Sequence, residues 1–387
     1  MTETAPIRDL ARSGAHAGGT AERGVGWAIW ISGPPASGKT AVARAAAELL
    51  HARGEPVRVL ELDTILSRLI PDPKDTETER ELVYRALGYM AAKLTEAGVP
   101  VIVDATAHRR RWRELARASI RRFAEVQLLC PVEVCRERER TRARGHSPSV
   151  PVAEPYEPPL APELAIDTAR QDVAVGAAAV AFLAEHLAFG TPAGRKGVTR
   201  WAIWITGRPG SGKTTLAHRV AELLATEPVP ITVLDLAFAR RFIAGREWAT
   251  DSQEEVVHRT LALTAKHLTE AGVAVILDAT APRRAWRQLG REWIAHFAEV
   301  QLICPAELCA TRERAARWHL GGARLDPAGQ GAAAPDIALA YEESLCPEIR
   351  LHTHAPDLTI SVEEVFRLAK RLERAARGRA DKERSNT

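Results

Sequence analysis

Short apolar runs alternate with longer segments of helical periodicity along this chain. Four short runs of strand length are predominantly apolar: Trp27–Ser32, Val57–Leu62, Val99–Val103 and Val126–Leu129. Three segments between them have the spacing of helices: Lys39–Arg53, Glu77–Ala97 and Arg111–Phe123. Strands that are apolar throughout are buried on both faces, as in a parallel sheet covered by helices. The pattern predicts a three-layer α/β fold.

The whole pattern occurs twice. The segment Trp27–Gly33 returns as Trp201–Gly207, and Lys213 follows Lys39 by 174 positions. The same offset relates two Val-Ile-x-Asp-Ala-Thr segments and two Glu-Val-Gln-Leu-x-Cys-Pro segments. A period of this length is the size of a domain, so we interpret the chain as a tandem duplication.

Composition changes along the chain predict the domain boundaries. We expect a flexible N-terminal tail at 1–24, domain 1 at 25–190, a linker at 191–199, domain 2 at 200–377 and a charged C-terminal tail at 378–387. The apolar runs lie within the two predicted domains, whereas the tails and the linker are rich in glycine, alanine and charged residues.

The net charge and the cysteine content argue against several classes of function. The net charge is +4, from 53 basic and 49 acidic residues, which gives no support to nucleic-acid binding. Five cysteines, an odd and sparse set, predict free thiols in a reducing compartment rather than a zinc site. No apolar run approaches the ~20 residues of a membrane span, and no secretory signal precedes domain 1. We expect a cytoplasmic protein.

Each repeat carries a phosphate-binding loop of the form G-x-x-x-x-G-K-[ST] between a strand and a helix. Backbone N–H groups of such a loop surround phosphate oxygens, its lysine binds the β- and γ-phosphates, and its threonine is a ligand of Mg²⁺. The sequence therefore predicts two P-loop NTPase domains of the kinase type that bind ATP and Mg²⁺. The predicted residues are Gly33, Ser37, Gly38, Lys39 and Thr40 in domain 1, and Gly207, Ser211, Gly212, Lys213 and Thr214 in domain 2.

Acidic side chains at the carboxyl ends of strands are the candidates for chemistry. We expect Asp104, with Asp278 in the second repeat, to position Mg²⁺, and Asp63 to orient an acceptor hydroxyl. An alternative is that Asp104 caps the following helix. The uninterrupted 174-residue offset aligns Asp63 with Ala237, although a two-residue gap would align it with Asp235. Domain 2 is therefore predicted to lack this carboxylate.

Several arginines recur at equivalent positions, and a guanidinium group suits phosphate or sulfate oxygens. For any single arginine on a polar helix face, a solvated surface role is the alternative. The recurring pairs are Arg85 and Arg259, Arg110 and Arg284, Arg113 and Arg287, and Arg138 and Arg312.

These segments resemble the adenylylsulfate kinase family. Glu61-Leu-Asp63 occupies the place of that family's D-G-D motif, Arg85-Ala-Leu-Gly88 resembles its R-R-I-G segment, and Pro155–Glu163 is similar to its P-Y-E-P-P signature. The second repeat retains a weaker signature at Tyr341–Glu348. The chain departs from the family in having leucine at the middle of D-G-D and Leu66 where an arginine usually follows.

The resemblance implies an ATP-dependent kinase that phosphorylates the 3′-hydroxyl of adenosine 5′-phosphosulfate. It implies that Arg85 and Arg110, with Arg259 and Arg284 in domain 2, grip the acceptor, and that Arg138 and Arg312 close over ATP. It also implies that the two copies dock as an intramolecular pseudodimer. Two alternatives stay open: a different hydroxyl acceptor, and a second domain that binds nucleotide without catalysis.

Overall fold

The computed structural model describes residues 25–143, 156–188, 199–227, 229–245, 250–319, 340–353 and 358–385. The chain divides into two compact units, residues 1–196 and 197–387. The expected tail at 1–24 and linker residues 191–198 lie outside the described residues, so the proposed boundaries there stay predictions.

Strands and helices alternate in domain 1. In chain order the elements are β1 Ala28–Ser32, α1 Lys39–Ala52, β2 Arg58–Glu61, α2 Leu62–Leu69, α3 Glu77–Glu96, β3 Val101–Asp104, α4 Arg110–Ser119, β4 Phe123–Leu129, α5 Val132–Ala143, β5 Leu164–Asp167 and α6 Val173–Ala188.

Domain 2 repeats this order at the same spacing through its fourth strand. Its elements are β6 Ala202–Gly207, α7 Lys213–Leu224, β7 Ile231–Asp235, α8 Leu236–Ile243, α9 Asp251–Glu270, β8 Ala274–Asp278, α10 Arg284–Trp293, β9 Phe297–Ile303, α11 Ala306–His319, β10 Ile349–His352 and α12 Thr359–Ser385. The predicted C-terminal tail thus begins inside α12, which continues to Ser385.

Each domain contains a five-stranded parallel sheet. The strand orders are β2-β3-β1-β4-β5 and β10-β9-β6-β8-β7. All five residues of β1 are buried, because α1 and α6 cover one face of the sheet while α3 and α4 pack together on the other side. The predicted three-layer α/β fold, with P-loop kinase-type domains in tandem, is confirmed.

One predicted helix is wrong at its end. The segment Arg111–Phe123 was expected to be helical throughout, but α4 ends at Ser119 and Phe123 begins β4. Phe123 lies opposite Ala28 in the β1–β4 register, so pairing with a distant strand determines its conformation. Helical periodicity within the segment contains no information about that partner.

Candidate active site

The loop after β1 forms a phosphate-sized cradle in domain 1. Gly38 has φ 97° and precedes α1, whose first turn has no side-chain cap. Lys39 Nζ donates to the carbonyls of Gly33 at 3.2 Å and Pro34 at 2.8 Å. Ser37 is fully buried, and its hydroxyl has no hydrogen-bond partner among the described residues.

The loop after β6 has the same geometry in domain 2. Gly212 has φ 96° before α7, and Lys213 Nζ donates to the carbonyls of Gly207 at 3.1 Å and Arg208 at 3.0 Å. The hydroxyl of Ser211 is again buried and has no partner within the described part of the chain. Burial lowers the pKa of Lys213, and the negative charge of Asp278 opposes this shift.

These features fit a bound phosphate chain. Uncapped N–H groups at a helix N-terminus, an unpartnered serine hydroxyl and a lysine ammonium all favour an anion at the same point. In this structure the lysine ammonium donates hydrogen bonds to carbonyl oxygens of the loop. When ATP binds, the ammonium has to donate to phosphate oxygens instead. The predicted loop residues are therefore brought together in both domains.

A buried carboxylate stands beside each loop. Asp104 ends β3, opposite Ile31 of β1 and Glu61 of β2. Burial raises the pKa of Asp104, while a hydrogen bond from Thr40 and the charge of Lys39 act to lower it. Arg109, not Asp104, is the N-cap of α4, so the alternative capping role is wrong.

Domain 2 reproduces this carboxylate. Burial raises the pKa of Asp278, and the charge of Lys213 and a hydrogen bond from Thr214 oppose the shift. The carboxylate and the threonine hydroxyl that is hydrogen-bonded to it both supply oxygen ligands of the kind that Mg²⁺ prefers. No cluster of three or more His, Cys, Asp or Glu side chains suited to a metal occurs within the described residues, so phosphates and waters would have to complete the coordination.

The two domains differ at the carboxylate that was expected to orient the acceptor. Asp63 lies exposed in the first turn of α2, and its charge raises the pKa of Asp104. Asp235 lies opposite Asp278 just as Glu61 lies opposite Asp104, so the ungapped alignment is correct. Ala237 therefore occupies the position of Asp63.

Glu61 and Asp235, two residues before Asp63 and Ala237, also differ in their hydrogen-bond partners. Glu61 makes two hydrogen bonds with Arg44, at 2.6 and 2.8 Å, which lower the pKa of Glu61. Asp235 instead accepts a hydrogen bond from the backbone N–H of Phe238 at 2.6 Å and caps α8. Neither carboxylate has the partner that the other has.

The arginines predicted to close over ATP lie beside the loops. Arg138 Nη2 donates to the carbonyl of Thr168 at 2.6 Å, and the hydroxyl of Thr168 donates to the carbonyl of Ser37 at 2.8 Å. In domain 2, Arg312 Nη1 donates to the carbonyl of Thr353 at 2.8 Å. Both guanidinium groups are thus held near the nucleotide cradle by the segment after the last strand of the sheet.

The arginines predicted to hold the acceptor are paired with carboxylates. Arg85 lies 3.5 Å from Glu81, and burial lowers the pKa of Arg85. Arg259 forms the corresponding pair with Glu255 at 2.8 Å.

Arg110 and Arg284 have a different position, at the start of α4 and α10. The backbone N–H of each donates to a glutamate of the Tyr-Glu motif at 2.8 Å, Glu157 for Arg110 and Glu342 for Arg284. The structure therefore places the predicted acceptor arginines on two separate elements in each domain, α3 and α4 or α9 and α10.

Arg113, which was named from the sequence only because it recurs in the second repeat, forms buried contacts with several segments near the site. Arg113 is fully buried, lies 2.6 Å from Glu125 and donates to the carbonyls of Ala107 and Glu157. Tyr156 donates to Ser32, which precedes the loop, at 3.0 Å. Arg113 therefore connects the Tyr-Glu segment to the segment after β3.

Domain 2 has the equivalent arrangement. Arg287 lies 2.8 Å from Glu299 and donates to the carbonyls of Ala281 and Glu342. The recurrence of this arginine together with the Tyr-Glu motif was the available signal in the sequence.

A cavity of about 430 Å³ opens beside the loop of domain 1. Pro34, Leu129, Cys130, Tyr156 and Asp167 are among the residues that line it. This volume is within the range of small-molecule sites.

Comparison with known proteins identifies the family. The sequence model described as adenylylsulphate kinase matches residues 25–167 and again residues 199–352. The chain belongs to the adenylylsulphate kinase family. Membership identifies it as a kinase-type phosphotransferase with nucleotide-binding P-loops.

Two curated relatives are each about as long as one domain of this chain. A probable adenylyl-sulfate kinase of Archaeoglobus fulgidus is 35% identical over 150 residues, which are 37% of this chain and 97% of that protein. One of Pyrococcus abyssi is 36% identical over 154 residues, 38% of this chain and 87% of that protein. The Mycobacterium tuberculosis APS kinase, solved in complex with AMPPNP and APS, is 27% identical with a TM-score of 0.37, covering 42% of this chain and 99% of its own.

Among the residues that the structure describes, none of the helices combines the length and apolar character needed to cross a bilayer.

Proposed function

We propose that domain 1 transfers the γ-phosphoryl group of ATP to the 3′-hydroxyl of adenylylsulfate. The observation that carries this proposal is that domain 1 has the complete cradle, the Thr40–Asp104 pair and the additional carboxylate of Asp63. Family membership supports the kinase chemistry, and the cavity beside Pro34 is large enough for a nucleoside.

Each residue then has a defined role. Lys39 holds the phosphate oxygens, and its charge offsets the negative charge that develops during transfer. Thr40 and Asp104 would hold Mg²⁺, which supplies charge neutralisation at the phosphates when bound. Asp63 accepts the proton of the acceptor hydroxyl, and Arg138 lies near the cradle to offset further charge.

A coupled assay of the purified protein with ATP, Mg²⁺ and adenylylsulfate tests the proposal. We expect turnover that Asp63→Asn lowers by about 10²- to 10⁴-fold, because a positioned base contributes that much. Asp72→Asn is the matched control, since Asp72 is an exposed aspartate beyond α2. Full activity of the Asp63 variant would remove Asp63 from the mechanism, and no turnover at all with adenylylsulfate would reject this acceptor.

A second candidate function retains the kinase and changes the acceptor to another small-molecule or polynucleotide hydroxyl. Leu66 favours this candidate, because it stands where the resembled family usually has an arginine. A screen of hydroxyl acceptors with γ-labelled ATP distinguishes the candidates. Labelling of another acceptor, with none of adenylylsulfate, would select the second.

A further inference from the structure

The acceptor side of domain 2 is occupied by a buried ion pair of its own. Arg240 of α8 donates to Glu254 Oε2 from Nη2 at 2.7 Å and from Nε at 3.1 Å. Both side chains are about 95% buried, with exposures of 6% and 5%. Glu254 Oε1 has no hydrogen-bond partner among the described residues, so the carboxylate depends on this arginine for compensation.

A histidine adds to this cluster. His258 is fully buried, its Nδ1 lies 2.7 Å from the carbonyl of Glu254, and its ring stacks on Trp286 at 4.3 Å. Arg240 lies three residues after Ala237 on α8, and Ala237 is the position equivalent to Asp63, so the cluster lies on the helix that carries the proposed acceptor position. Side chains of α8 and α9 therefore pair with each other close to the position that Asp63 occupies in domain 1.

Domain 1 has different residues at every equivalent position. Leu66 stands at the position of Arg240, where the resembled family usually has an arginine, so at this position domain 1 is the one that departs from the family. Arg80 and Tyr84 stand at the positions of Glu254 and His258. Arg80 pairs with Asp75 at 2.8 Å, but the two side chains are 19% and 39% exposed. The hydroxyl of Tyr84 accepts a hydrogen bond from the backbone N–H of Ala107 at 3.1 Å.

The two ion pairs differ greatly in how easily a ligand displaces them. The Arg80–Asp75 pair is partly exposed to water and therefore contributes little, so the phosphosulfate group of the acceptor competes for Arg80 at small cost. Removing Arg240 from Glu254 leaves an uncompensated buried carboxylate, which costs on the order of 10²- to 10³-fold in binding. An anionic acceptor approaching Arg240 also meets the negative charge of Glu254.

We propose that domain 2 is an ATP-binding site that transfers no phosphoryl group, because the Arg240–Glu254 pair closes its acceptor side and Ala237 removes its base. This inference rests on the proposed kinase function of domain 1. It extends that function by assigning donor binding to both domains and acceptor binding to domain 1 alone.

The first test separates the two ATP sites in the full chain. Titration with ATP and Mg²⁺ is expected to give two sites in the wild type, one in Lys39→Ala and none in Lys39→Ala/Lys213→Ala. Lys39→Ala is also expected to label no acceptor from γ-labelled ATP. The inference would be overturned if Lys39→Ala bound no ATP at all. It would also be overturned if this variant retained more than about 1% of the wild-type phosphoryl transfer.

The second test transplants the ion pair into domain 1. Leu66→Arg combined with Arg80→Glu is expected to lower kcat/KM for the acceptor at least 100-fold while leaving ATP affinity within about threefold, which also reports correct folding. Leu66→Arg alone, which introduces the arginine usual in the resembled family without Glu at position 80, is the matched control and should not lower kcat/KM for the acceptor. Unchanged acceptor kinetics in a double variant that binds ATP would show that the pair does not close the site.

The third test does not depend on any acceptor. Hydrogen exchange of the wild-type chain is expected to be at least tenfold slower in α8 than in the equivalent helix α2, because the buried pair holds α8 on α9. Equal exchange in the two helices would reject the closure. If the wild type labels no acceptor while slow exchange and the single ATP site of Lys39→Ala are found, the proposed function fails and the closed ATP site stands.

Discussion

A methyl group added to the second phosphate loop should disable it without touching its lysine. Gly210 has φ 74°, and a Cβ built there would lie 2.3 Å from the carbonyl oxygen of Cys309 in α11. The equivalent residue in domain 1 is Ala36, which already has φ 59°. Gly210→Ala therefore gives both loops an alanine at this position, and in domain 2 its Cβ meets the carbonyl oxygen of Cys309.

The cost has two parts. A left-handed conformation costs an alanine about 1–2 kcal/mol. Moving the loop or α11 to relieve the overlap costs about 1–3 kcal/mol more, as overpacking in a close-packed region does. The total of about 2–5 kcal/mol opposes the conformation that binds phosphate, so ATP affinity at domain 2 should fall at least 30-fold.

Calorimetric titration with ATP and Mg²⁺ checks this in the Lys39→Ala chain, where only domain 2 retains its loop lysine. Ala36→Gly in the Lys213→Ala chain is the matched control, and its affinity should change less than about fivefold because glycine relieves strain but adds backbone freedom. Equal ATP affinity with and without Gly210→Ala would refute the reasoning from the contact with Cys309.

Three further outcomes follow from single side chains. Arg113→Lys should lower kcat/KM for the acceptor about tenfold and leave ATP affinity within about threefold, because lysine retains the charge beside Glu125 but loses the paired carbonyl contacts; equal losses for both substrates would contradict this. Burial lowers the pKa of His258 to about 3, below the ~6.5 of an unfolded histidine, so the unfolded state binds the extra proton between these values. Domain 2 should therefore lose about 2 kcal/mol of stability as pH falls from 6.5 to 5, and a thermal-unfolding series in which His258→Phe retains this dependence would count against it. Thr76→Ala should destabilise domain 1 by about 1 kcal/mol through loss of the α3 capping box, whereas Thr78→Ala should not, as chemical denaturation can measure.

The donor side of each domain was predictable from sequence because it is local. The loop lies within one strand–turn–helix unit, and the backbone conformation of Gly38 and the position of Lys39 depend mainly on neighbours in the chain. The strand Val101–Asp104 is likewise read from an apolar run, and the repeat offset correctly assigns Asp63 and Ala237 to one position.

The acceptor side was not predictable to the same degree, because its contacts are nonlocal. Arg240 and Glu254 come from different helices, and each alone is an ordinary charged residue on a helical pattern. The ion pair of Arg113 and Glu125 connects α4 to β4 in the same way. Such partners become visible only when the fold brings the elements together.

This contrast explains how one domain can retain ATP binding while its acceptor side changes. The phosphate cradle consists mainly of backbone N–H groups and one lysine, so substitutions on α8 and α9 leave it intact. The acceptor recognition that we propose depends instead on side chains such as Asp63, where a single replacement removes the base. In a duplicated kinase, divergence should therefore accumulate at the acceptor side first, as Ala237 in place of Asp63 in domain 2 and Leu66 in place of Arg240 in domain 1 both illustrate.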